Sequence, residues 1–253
     1  KNRTSVIIWS LGNESSFGKA FFEGAKYIRN HDSTRPIHYE GLQYADPKYY
    51  YTDMVDMVSM MYPSLQTIQE KVLDNPEETR PFILCEYTHA MGNSCGDIAA
   101  YWDMIYNNEQ MMGGFVWEWA DHGIKTDDGF LYGGDFEEPE HDGNFCVDGM
   151  LYPDKTPHTG AFVIKAVYRP VRSKHISGKC FEFTNTNRFK NSKYLKVIWT
   201  QRVNGKEVKS GELSLDIDPM QTKTYEIPYE WYDSDKDCHI NIAYYDGETR
   251  LAL

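Results

Sequence analysis

Apolar positions come in short solid blocks over the first two thirds of the chain and alternate with polar ones over the remainder. Ser5–Leu11 (SVIIWSL) is an unbroken block, the pattern of a strand buried on both faces. Phe17–Asn30 then carries Phe21, Phe22, Ala25, Tyr27 and Ile28 at helical spacing. Arg35–Gly41 (RPIHYEG) predicts a short strand introduced by proline, and Met54–Tyr62 (MVDMVSMMY) another. The segment SLQTIQEKVLDNP reads as a helix with Ser64 as its N-cap. Arg80–Tyr87 predicts a fourth strand, Asp97–Gln110 a helix with an acidic start, and Gly113–Asp121 a fifth strand. From about Cys180 the period changes to two. KYLKVIWTQRV and KEVKSGELSL flank Asn204-Gly205, a strong hairpin signal, and TKTYEIPY and CHINIAYY add two strands.

Strands alternating with helices imply parallel pairing through right-handed crossovers. Five such strands fit either an open doubly wound sheet or the later part of a (β/α)8 barrel. No glycine-rich phosphate loop follows any of them, which weakens a nucleotide-binding reading. Polar residues sit instead at the C-terminal ends of the blocks: Asn13-Glu14, Glu40, Tyr62, Glu86 and Trp117-Glu118. A barrel builds its active site at that face. The alternating region predicts an antiparallel β-sandwich. The boundary falls near Tyr168–Ser173, giving a first domain over 1–170 and a second over 171–253.

Composition narrows the partners. The chain has 253 residues, 41% of them hydrophobic, with 19 Tyr and 6 Trp, so a packed core is affordable and disorder is not expected. A net charge of −12 argues against nucleic acid or an anionic membrane as partner. There is no apolar run of the ~18 residues that a spanning helix needs. The five cysteines are odd in number and form no CxxC, so they read as reduced thiols, and no Cys/His spacing suits zinc. The chain opens almost on a strand and stops at Leu253 without a closing turn, as a piece of a longer protein would.

Glu14 and Glu86 each stand at a strand end in a polar setting. Two carboxyls facing one another are what glycoside hydrolysis needs: one donates a proton to the leaving oxygen, the other attacks the anomeric carbon. On pattern alone they could equally be two unrelated surface carboxylates. The motifs IIWSLGNES, RPIHYEG, ILCEYTHAMGNS, GGFVWEWAD, YGGDF, NFCVDGM and DKTPH, in that order from Ser5 to His158, resemble glycoside hydrolase family 2, and within it the large bacterial β-galactosidases.

The resemblance implies that the chain is the C-terminal part of a (β/α)8 TIM barrel, strands four to eight, followed by an immunoglobulin-like antiparallel β-sandwich. It implies a retaining exo-glycosidase that releases terminal β-D-galactose from β-galactosides through a covalent galactosyl-enzyme. By the same resemblance Glu14 is the general acid/base and Glu86 the nucleophile. Asn13 holds the sugar 2-hydroxyl, Tyr62 hydrogen-bonds the nucleophile, His89 contacts the sugar, and Trp117 is an aromatic platform followed by a cis peptide to Glu118. The family's Mg²⁺ would take Glu14 as one ligand, its other ligands lying before Lys1. The family's Na⁺ site maps to the Phe145 carbonyl and Asp148, where aspartate replaces asparagine and adds a charge. The full-length enzyme is expected to be a homo-oligomer, and residues 1–253 alone to be inactive. The alternatives are a β-glucuronidase or β-mannosidase of the same family, or a non-catalytic carbohydrate-binding fragment.

Overall fold

In the computed structural model, which describes residues 2–45, 53–232 and 235–252, the solid apolar blocks become parallel strands. Lys1–Ala161 and Phe162–Leu253 form two separate units. The first runs β1 (Trp9–Ser10), α1 (Lys19–His31), β2 (Ile37–His38), β3 (Val58–Met61), α2 (Leu65–Ile68), β4 (Phe82–Tyr87), α3 (Ile98–Asn107) and β5 (Met111–Val116). β1 pairs with β2, and β3, β4 and β5 lie side by side in chain order, every pair parallel. Sequential parallel neighbours joined by helices are what a barrel wall is built from. β4 lies between two partners, and Phe82, Leu84 and Tyr87 are fully buried. Gly114 makes that packing possible: a Cβ there would stand 2.7 Å from Leu84 Cβ and 2.9 Å from the Tyr87 ring. Beside β2, Phe21 of α1 stacks on Tyr39 with ring centroids 4.3 Å apart.

Several boundaries differ from the sequence reading, among them β5, which covers Met111–Val116 rather than Gly113–Asp121. β1 covers Trp9–Ser10 rather than Ser5–Leu11, because Thr4-Ser5 form a turn and the ladder is only as long as β2 beside it. Hydrogen bonds from the Trp9 amide to the Pro36 carbonyl (2.9 Å) and from Leu11 to His38 (3.0 Å) carry the pairing to its ends. Ser64 caps α2, accepting from the Thr67 amide at 3.0 Å, but the helix passes into a π-turn over Gln69–Leu73. Asp97 precedes α3 in a left-handed conformation (φ +56°), and its side chain makes no capping bond. Periodicity also missed the hairpin of β6 (Ile124–Thr126) and β7 (Gly129–Leu131) and the helix α4 (Thr159–Val167). These are three to nine residues long and rich in glycine or turn residues, too short to establish a period.

The second unit holds β8 (Val171–Ser177), β9 (Cys180–Asn185), β10 (Leu195–Val203), β11 (Lys206–Leu213), β12 (Thr222–Glu226), β13 (Cys238–Asp246) and β14 (Thr249–Ala252). They form two antiparallel sheets, β11-β10-β13-β14 and β12-β9-β8. Along β10, Leu195, Val197, Trp199 and Val203 point inward, joined in the core by Phe183, Ile217 and Tyr244. Gln201 is buried in the same row. Its amide is satisfied by donating to the Glu230 carbonyl at 2.6 Å and accepting from the Glu230 amide at 3.0 Å. Asn204 (φ +49°) and Gly205 (φ +76°) make the expected two-residue turn between β10 and β11. All five cysteines are free thiols. No helix among the described residues is long and apolar enough to cross a membrane.

Candidate active site

The C-terminal ends of β1, β3, β4 and β5 bring the singled-out side chains together. At the centre is Glu86, on β4 and 9% exposed. Tyr62, just past β3, donates its hydroxyl to Glu86 Oε2 at 2.9 Å, and its backbone amide donates to the Glu86 carbonyl, also at 2.9 Å. The second bond fixes the turn at Tyr62, whose φ of +48° is uncommon for a bulky residue. Burial pushes the Glu86 carboxyl above the ordinary range. The Tyr62 hydroxyl and the Asn13 amide donate to it and pull it down, while the charges of Glu14 and Glu40 push it further up. The Tyr62 phenol is pushed far up, by burial first and by Glu86 next.

Glu14 and Asn13 are exposed at the tip of the segment that follows β1. Gly12 and Glu14 have φ of +158° and +43°, so the chain turns sharply there. The turn is held from below: the Glu14 amide donates to Glu40 Oε1 at 3.0 Å. Glu40, two residues past the end of β2, is 2% exposed. The sequence marks Glu40 only as one more polar strand end. Nothing in its spacing shows that its carboxylate turns back onto a neighbouring strand end.

On the other side, the Trp117 indole, just past β5, donates to Asp148 Oδ2 at 3.1 Å. His89 Nε2 lies 3.9 Å from the same oxygen. The His89 ring sits 5.8 Å from the rings of both Tyr62 and Phe145. The peptide from Trp117 to Glu118 is cis. Asp148 is 4% exposed, and its Oδ1 has no hydrogen-bond donor. It also lies against the Glu118 carboxyl, whose affinity for a proton is raised by burial and then by Asp148, with His122 opposing at 2.8 Å. Asp148 is delivered by close packing. A Cβ on Gly149 would stand 2.2 Å from the Ala120 carbonyl carbon, and the Gly149 amide donates to Asp121 Oδ1 at 2.8 Å. Asp121 in turn pairs through Oδ2 with His158 Nε2 at 2.8 Å, which gives the motif DKTPH a physical role.

A cleft of about 580 Å³ is lined by Glu86, Asn13, Ser10, His38, Cys85 and Trp117 among others. His38 bridges Ser10 Oγ (3.0 Å) and Ser59 Oγ (2.7 Å), and burial lowers its affinity for a proton. The Cys85 thiol is pushed up to about 11 by burial, so it stays protonated and is no nucleophile.

Eight residues read from the sequence, Asn13, Glu14, Tyr62, Glu86, His89, Trp117, Phe145 and Asp148, therefore line one region. Its core is a buried carboxylate held by a phenol and faced by a second carboxylate. Residues 1–173 match the family model "Glycosyl hydrolases family 2, TIM barrel domain". The chain belongs to glycosyl hydrolase family 2. The strands β1–β5 are accordingly the later strands of a (β/α)8 barrel, and residues 181–251 match "Beta-galactosidase, domain 4". Among curated relatives, the chain is 52% identical over 177 residues to a β-galactosidase of Staphylococcus xylosus, covering 68% of this chain and 18% of that one. It is 41% identical over 225 residues to a β-galactosidase of Actinobacillus pleuropneumoniae (87% and 22%). It is 36% identical over 245 residues to one of Priestia megaterium (94% and 23%). The chain thus spans about a fifth of the length of these relatives.

Proposed function

We propose that this chain carries the catalytic carboxylates of a retaining β-galactosidase. The observation that supports this best is Glu86 itself: a buried carboxylate, fixed by Tyr62 at 2.9 Å, under the charge of Glu14 from a different strand. Glu14 donates its proton to the glycosidic oxygen as the bond to the anomeric carbon breaks. Glu86 forms the new bond to that carbon from the opposite face, leaving a covalent galactosyl-enzyme. Glu14, now ionised, takes a proton from water, and the resulting hydroxide displaces Glu86 with β configuration restored. Esterification removes the Glu86 charge, so the two carboxyls are never both obliged to be ionised at the first step.

Tyr62 and Asn13 keep Glu86 ionised and aimed despite burial. His89 and Trp117 border the space where the sugar would lie, with the indole face available for stacking. Galactose as the sugar rests on the three relatives, each named β-galactosidase.

A hard cation fits one part of the site. The buried Oδ1 of Asp148, which has no hydrogen-bond partner, would be one oxygen ligand for Na⁺, and the Phe145 carbonyl is the second candidate by the family pattern. Glu14 alone does not make a Mg²⁺ site, and no group of three or more ligating side chains occurs among the described residues.

The test is a panel of nitrophenyl glycosides on the full-length gene product, with the first-formed anomer followed by NMR. Turnover favouring the β-galactoside, with β-galactose appearing first, is expected. A preference for the glucuronide or mannoside refutes the sugar, and α-galactose first refutes retention.

A further inference from the structure

We infer that Glu40 is a positioning residue for the acid/base: its buried carboxylate holds the backbone of Glu14 in the turn that aims the Glu14 side chain at the site. This rests on the role proposed for Glu14. Three observations carry it. The Glu14 amide donates to Glu40 Oε1 at 3.0 Å, so the contact reaches the backbone of the very residue that must be aimed. Glu14 lies at φ +43°, a left-handed conformation that is unfavourable for a non-glycine residue and persists where the surroundings hold it. Glu40 is 2% exposed, anchored at the end of β2, whereas Asn13, Glu14, Ser15 and Ser16 are all exposed. The fixed point is therefore Glu40, and the element it steadies is the exposed tip.

β1 itself is too short to do this. It contributes two paired residues, and the last ladder bond, from Leu11 to the His38 carbonyl, lies three residues before Glu14. Between that bond and Glu14 the chain passes through Gly12 at φ +158°. The Asn13 side chain reaches Glu86 and the Tyr39 hydroxyl holds the Ser16 carbonyl, but the backbone of Glu14 itself is fastened at its amide, to the residue two positions beyond β2. An acid/base that must donate to the glycosidic oxygen and later take a proton from water needs a stable approach in both steps. An ångström of misplacement can cost about 100-fold in such a site.

The role is one of geometry, and two conservative substitutions separate geometry from charge. Glu40→Gln keeps an oxygen acceptor at the same reach but removes the charge. Glu40→Asp keeps the charge but draws the acceptor back by one methylene. In the full-length gene product, kcat/KM is measured for aryl β-galactosides with good and with poor leaving groups, and for lactose. Only poor leaving groups need the acid, which contributes about 100- to 10,000-fold in such reactions. Glu40→Asp is expected to lose roughly 10- to 100-fold on poor leaving groups and less than about 3-fold on activated ones, while Glu40→Gln stays within about 3-fold on both. A loss confined to Gln overturns the inference. So does an equal loss on all substrates, or no loss in Asp. Glu14→Ala is run alongside. If it spares poor leaving groups, the acid/base assignment fails. If it harms them selectively while Glu40→Asp does not, the assignment stands and the role of Glu40 falls.

Discussion

Replacing Tyr62 with phenylalanine removes one atom and tests how Glu86 is kept ionised. In the folded chain burial is the largest influence on Glu86 and favours its protonated form. The Tyr62 hydroxyl is the largest influence opposing it. A hydrogen bond to a charged acceptor contributes about 1.5–3 kcal/mol. Tyr62 is 42% exposed, so water partly replaces the lost donor and the lower figure applies. About 1.5 kcal/mol corresponds to roughly one pK unit. The sign follows directly. Glu86 must be ionised to attack, its pKa is already raised, and losing Tyr62 raises it further. The acid limb of the kcat/KM profile should therefore move to higher pH by about one unit, with the alkaline limb unmoved. The assay is a pH profile of the full-length gene product and its Tyr62→Phe variant on an activated aryl β-galactoside. An acid limb that stays in place, or moves to lower pH, refutes the reasoning that Tyr62 supports the ionised form.

Glu86→Gln should abolish turnover yet raise the urea midpoint of the chain at neutral pH. The folded pKa of Glu86 is raised, so its ionisation costs stability as pH rises through that value, and glutamine removes the cost; an unchanged or lower midpoint contradicts this. Gly149→Ala should cost at least about 1–3 kcal/mol and lower kcat/KM, because its Cβ would meet the Ala120 backbone at 2.2 Å and push Asp148 away from Trp117; wild-type activity would show that Asp148 need not sit there. Gly205→Ala should destabilise the second unit by about 1 kcal/mol through its φ of +76°, read as a lower urea midpoint with activity retained.

The strand ends were legible because each apolar block stops at a polar residue. Asn13-Glu14, Tyr62, Glu86 and Trp117 could be read in place, and the ordered motifs tied them to one family. The turn at Asn204-Gly205 was equally legible, since two consecutive positive φ angles leave few residue choices. Other features were not, because they depend on contacts across the fold. Nothing local shows that Glu40 reaches the Glu14 amide, or that Asp121 links His158 to Gly149. The short extent of β1 depends on the length of its partner, and the π-turn after α2 interrupts a helical period that continues in the sequence. Glu118 reads as one more strand-end carboxylate, and only the fold shows that burial, and then Asp148 beside it, make it hold a proton more tightly.

The central claim is that Glu86 becomes covalently bonded to the sugar. Incubating the full-length gene product with a 2-fluoro-galactosyl reagent bearing a good leaving group slows hydrolysis of the intermediate and lets it accumulate. Digestion and mass spectrometry then place the label on a residue. The account predicts one fluorogalactosyl group on Glu86, within RPFILCEYTH, absent from the Glu86→Gln variant. A label on Glu14 or any other residue, or a fully active enzyme that never accumulates one, would contradict it.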